Sequence, residues 1–120
     1  SSAVALKLEV SAPVADGRIR TVLGPEAAIW SISAVGAHND IVRRPEDIAA
    51  FAKLFRKTLD DIKLVHGENT KVNVFPVVPV SIAVEAGRSW HPKAHPPLAI
   101  YDQNWKLNGF ALAHTLEHTS

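Results

Sequence analysis

Six histidines, a few serines and a pair of adjacent arginines are the residues of this 120-residue chain whose types suggest chemistry. His91 and His95 stand four apart, as do His114 and His118. On a helix that spacing would place two imidazoles on one face, where they can share a metal. Pro92, Pro96 and Pro97 prevent a helix around the first pair, and the second pair lies in a strand-like segment running to the C-terminus. No Asp or Glu stands where it would complete either set, so exposed loop and terminal histidines are the simpler reading and no metal or other cofactor is expected.

Nucleophilic and nucleotide motifs fail in the same way. Gly87-Arg88-Ser89-Trp90-His91 lacks the final glycine of Gly-x-Ser-x-Gly. Neither a Gly-x-Gly-x-x-Gly turn nor a phosphate-loop pattern is present, which argues against a nicotinamide enzyme or an NTPase. The absence of cysteine removes disulfides, thiolate zinc sites and cysteine nucleophiles. Asp60 and Asp61 fall on the polar side of a long helix and read as a solvated face.

What remains suits an anion. His38, Arg43 and Arg44 lie just before a helix start, where free N–H groups and the dipole favour negative charge. Ser11 and Ser33 end strands, and Pro79 with Ser81 opens a short helix that offers a hydroxyl donor. Together they fit a ligand with several phosphates and hydroxyls. Tyr101 and Trp105 can stack a base, or fill the core.

The elements that must position these residues follow from periodicity. Val4–Val10 is apolar at 4, 6, 8 and 10, with Lys7 and Glu9 between, and predicts a strand with one better-buried face. Ala27–Ser33 predicts a second strand after the turn signal Gly24-Pro25, while Arg18–Leu23 reads as a strand or a short helix. Pro45–His66 is the clearest helix. Proline suits its first position, Glu46 and Asp47 its first turn, and Ile48, Phe51, Ala52, Phe55, Leu59 and Ile62 form one stripe, with Gly67 as the stop. Lys71–Pro79 is apolar enough to predict a central strand. Val80–Ala86 suggests a short helix ending at Gly87, and strands are expected at Leu98–Tyr101 and Phe110–Leu116. The expected order is β-β-α-β-α-β-β, an α/β Rossmann-like sheet with crossover helices. Ligands of such sheets collect at the carboxyl ends of the strands.

Composition narrows the classes. Hydrophobic residues at 47% and charged residues at 21% fit one folded domain. A formal net charge of +1 argues against a protein that coats DNA or RNA. No apolar run approaches the ~18 residues of a membrane span, so a cytoplasmic setting with no membrane segment is expected. A natural reading frame begins with Met and this chain has none, so it is read as part of a longer protein.

Three stretches carry a family resemblance. Val72-Asn73-Val74-Phe75-Pro76-Val77-Val78-Pro79-Val80-Ser81-Ile82-Ala83-Val84-Glu85-Ala86-Gly87-Arg88, Pro97-Leu98-Ala99-Ile100-Tyr101-Asp102-Gln103-Asn104 and Gly109-Phe110-Ala111-Leu112-Ala113 resemble the SAVED domain. The resemblance implies a sensor of cyclic oligonucleotides in bacterial anti-phage defence, built of CARF-like Rossmann units and linked to an effector that ligand-induced oligomerisation switches on. It implies that Pro79 and Ser81 begin a ligand-facing helix and that Ser33 and Asp102 lie near the same edge. It also implies that residues 1–120 supply one CARF-like half, the C-terminal one, of a longer sensor domain. The rest of the pocket would then come from the remainder of the parent chain or an associated chain. The expected ligand-binding set is Ser11, Ser33, His38, Arg43, Arg44, Pro79, Ser81, Tyr101, Asp102 and Trp105, with no catalytic residue assigned. Two other readings stay open: a phosphodiesterase that opens the same cyclic ligand, with His38 the one candidate base, and a purely structural assembly module.

Overall fold

The computed structural model describes residues 3–9, 14–33, 45–67, 69–77, 87–90, 95–104 and 109–116. Seven elements follow in chain order: β1 (Val4–Glu9), α1 (Asp16–Leu23), β2 (Ala28–Ser33), α2 (Pro45–His66), β3 (Val72–Val77), β4 (Leu98–Asn104) and β5 (Gly109–Leu116). The strands form one sheet in the order β2-β1-β3-β4-β5. β2, β1, β3 and β4 run parallel, and β5 returns antiparallel to β4. A mixed α/β chain with four parallel strands is consistent with a Rossmann-like sheet, and the apolar β3 is its central strand, as its composition predicts.

The expected β-β start needs correction, because α1 stands between the first two strands. Parallel pairing of β1 with β2 explains why: a parallel neighbour cannot be reached by a tight turn and needs a crossover. The expected end of a short helix at Gly87 also moves, since residues 87–89 are helical. The preceding residues, 78–86, lie outside the described set.

Two crossovers leaving β1 in opposite directions place their helices on opposite faces of the sheet. On one face α2 lays Phe51, Phe55, Leu59 and Ile62 over Val4, Leu6 and Leu8 of β1, Ile32 of β2, Val72 and Val74 of β3 and Leu98 of β4. On the other, Val14, Ile19 and Leu23 pack with Ala5, Ile29, Phe75, Val77 and Tyr101. The period of two divides each strand between these cores. α2 ends at Gly67, whose φ of 100° and N–H bond to the Lys63 carbonyl at 2.8 Å terminate the helix. Pro76 sits within β3, and the pairing of β3 with β4 stops at Val74, so the missing proline N–H lies beyond that ladder.

The connection entering β4 is tied down on the α2 side. Trp90 packs against that core and donates its indole N–H to the Pro96 carbonyl at 2.7 Å. His95 is buried, with Nε2 3.7 Å from Oδ1 of Asp60, so it is not the exposed loop histidine expected. Among the described residues no helix is long and apolar enough to cross a membrane.

Candidate functional site

Parallel strands end at a common edge, and here that edge collects the ends of β1, β2, β3 and β4. Ser33 pairs with Glu9, and Glu9 with Val77, so three adjacent strands stop on one row. The sheet order reverses between β1 and β3, because one crossover leaves β1 toward β2 and the next returns past it to β3. At such a switch point the flanking connections part and leave a crevice beyond the strand ends. α2 follows β2, so its N-terminus belongs to the same edge.

The described part of this crevice is built on the β1–α1 corner. Glu9 is only 8% exposed, and its Oε2 accepts the Val14 N–H at 2.6 Å. Lys7, one turn of the pleat earlier on the same side of β1, brings Nζ to 3.7 Å from Oε1 of Glu9. The same ammonium donates to the Val14 carbonyl at 3.2 Å and to Oδ1 of Asp16 at 2.7 Å. The hydrogen bond from Lys7 holds the Asp16 carboxyl below its ordinary range, against partial burial, which pushes the other way. Arg20, one helical turn on, lies 3.9 Å from Oδ2 of Asp16. Lys7 therefore offsets the carboxylates nearest the crevice, which an approaching anion would otherwise meet as like charge.

Sequence reasoning read Lys7 and Glu9 as the less buried side of β1. The structure covers that side with α1, and the buried ionic network is a feature it did not find. The available signal was a cation and a carboxylate two apart in an otherwise apolar strand, at the end where Rossmann-like sheets bind ligands.

Of the ten expected binding residues, three lie within described elements. Ser33 is exposed at the carboxyl end of β2. Asp102 lies two residues before the end of β4, on the strand that pairs with β5 opposite Ala111. Tyr101 belongs to the α1-side core. Its ring stacks on Phe75 with centroids 4.6 Å apart, and its hydroxyl donates to Oδ1 of Asn73 at 3.1 Å. Asn73 in turn donates from Nδ2 to the Val4 carbonyl at 2.9 Å, linking β4, β3 and β1 through side chains. Ser11, His38, Arg43, Arg44, Pro79, Ser81 and Trp105 lie outside the described residues. By chain order, Ser11 follows the end of β1 by two positions, Pro79 follows the end of β3 by two, and Arg44 directly precedes α2.

Comparison with known proteins adds one match. Residues 1–116 match the family model SAVED, described as the SMODS-associated and fused to various effectors sensor domain. A search of curated proteins finds no match to the chain.

Proposed function

The chain belongs to the SAVED family of sensor domains, and we propose that it binds a cyclic oligonucleotide at the carboxyl edge of its sheet and passes the bound state to a linked effector. The family match over residues 1–116 carries this reading, and the switch point between β1 and β3 supplies the place. In the proposed site Arg43 and Arg44 pair with phosphates. Ser11, Ser33 and Ser81 give hydroxyl hydrogen bonds, Pro79 starts the ligand-facing helix, and His38 and Asp102 line the same edge. Trp105 stacks a base, while Tyr101, already seated on Phe75 and Asn73, supports the end of β4.

Residues 1–120 would contribute one CARF-like half of the pocket, the rest coming from the parent chain or an associated chain. A ligand that bridges two surfaces stabilises their assembly by its differential affinity for the joined state, and this is the proposed route to oligomerisation and effector activation.

Calorimetric titration of the parent protein and of residues 1–120 with cyclic di-, tri- and tetraadenylate tests the reading. Binding by the parent, weakened or lost in the isolated piece, is the expected result. In the parent, replacing Arg43 and Arg44 together with Ala should reduce binding by roughly 1–3 kcal/mol. No binding by the parent across cyclic adenylates and mixed-base cyclic dinucleotides and trinucleotides would sink the sensor reading.

A further inference from the structure

The β1–α1 connection, residues 10–13, leaves the sheet at the switch point and carries Ser11. Its far end is held with unusual completeness. Val14, the first described residue after it, has its N–H bonded to the Glu9 carboxylate and its carbonyl bonded to the Lys7 ammonium. Both side chains come from the last three positions of β1, so the connection closes back onto the strand it has just left. Val14 itself is 4% exposed and packs with Ile19 and Phe75, which fixes the same point from the apolar side. The Lys7 bond to Asp16 extends the tie to the first residue of α1.

The arrangement is expensive for a merely structural corner. Two ionised side chains, 16% and 11% exposed, are desolvated to bind one residue's backbone. An apolar pair would pack against α1 with less desolvation. What the ionic pair adds is a fixed exit path for four residues at the sheet's binding edge, with no net charge presented to an anion. We infer that Glu9 and Lys7 are positioning residues for ligand recognition: they set the conformation of the β1–α1 connection so that Ser11 meets the ligand. This rests on the sensing function proposed above, and the two fail separately.

The experiment uses the parent protein with Glu9→Ala, Glu9→Gln and Lys7→Met. It reads amide exchange of the segment containing Val14, thermal unfolding, and calorimetric affinity for whichever cyclic adenylate the wild type binds. Glu9→Ala should speed exchange at Val14 by roughly ten- to a hundredfold, the loss of one charge-assisted hydrogen bond. Affinity should fall about tenfold at temperatures where the variant is fully folded. Glu9→Gln keeps an oxygen acceptor and should restore most of the exchange protection, whereas Lys7→Met leaves the carboxylate uncompensated and should weaken binding further. Unchanged exchange at Val14 in Glu9→Ala overturns the clamp. Faster exchange with wild-type affinity overturns its role in recognition and leaves the sensing function standing. A wild type that binds no cyclic nucleotide overturns the sensing function and the recognition role together, while the exchange data still decide whether the clamp exists.

Discussion

Tyr101 is the chain's only tyrosine, so its ionisation can be followed without ambiguity. Burial disfavours the phenolate and pushes its pKa above the ordinary value. The hydroxyl also donates to the buried Asn73 carboxamide, a bond that only the protonated form makes. A raised folded-state pKa fixes the sign of the linkage. The stabilisation is fully present below about pH 10, the unfolded value, and declines as pH rises through the higher folded value. Tyr101→Phe should cost about 1 kcal/mol at neutral pH, because Oδ1 of Asn73 loses its donor. It should also flatten the alkaline decline in stability. Tyrosinate absorbance against pH, with urea unfolding at each pH, checks both parts. An equal alkaline slope in the variant would mean that other groups carry it.

At the scale of elements, α2 shows how packing and backbone divide the stabilisation of one helix. Phe55 and Leu59 are buried to 1% and 0%, whereas Leu64 is 83% exposed. Phe55→Ala should therefore destabilise by about 3–5 kcal/mol, while Leu64→Ser should change stability by no more than about 0.5 kcal/mol. Gly67→Ala separates the backbone share. A Cβ there would meet only Oγ1 of Thr70 at 3.8 Å, an ordinary contact, so the expected loss of about 1 kcal/mol comes from the positive φ alone. Denaturant midpoints of the three variants, ranked Phe55→Ala, Gly67→Ala, Leu64→Ser, test the division. α2 was legible in the sequence for the same reason that it is stable: its apolar stripe, first-turn acids and terminal glycine agree. α1 was not. Arg18-Ile19-Arg20-Thr21-Val22 alternates like a strand, and only Ile19 of the helix is fully buried. Its helical state depends on the parallel pairing of β1 with β2, which local pattern does not encode. The candidate site was legible to a similar degree. The carboxyl edge follows from the order of elements, and Ser33 lies on it. The clamp of Lys7 and Glu9 was hidden, because it needs α1 to cover a face that alternation alone assigns to solvent.

For the molecule as a whole, the decisive feature is that one sheet serves two cores. β1 sends Leu6 to the α2 side and Ala5 to the α1 side, and β3 sends Val74 and Phe75 in the same two directions. α1 has eight residues, too few to persist as an isolated helix. Its departure would uncover Ile19 and Phe75, both 0% exposed, a loss on the order of 3–6 kcal/mol of burial. That is a large part of the roughly 5–15 kcal/mol that holds a domain of this size. It would also strand Lys7 and Glu9 without Asp16 and Val14. The α1 layer therefore should not melt ahead of the α2 layer, and unfolding should be a single cooperative transition. The chain carries reporters on each face. Trp30 and Trp90 pack on the α2 side, and Trp30 donates its indole N–H to Nε2 of His66 at 3.1 Å. Tyr101 reports the α1 side. With Trp105→Phe leaving only those two tryptophans, urea curves from tryptophan fluorescence, tyrosine absorbance and backbone circular dichroism should superimpose. Ile19→Ala and Phe55→Ala, one from each core, should lower the same midpoint on all three probes. A tyrosine curve that precedes the tryptophan curve would instead make α1 and the clamp beneath it a separate, weaker unit, and the binding edge would then be ordered by something other than the core beneath it.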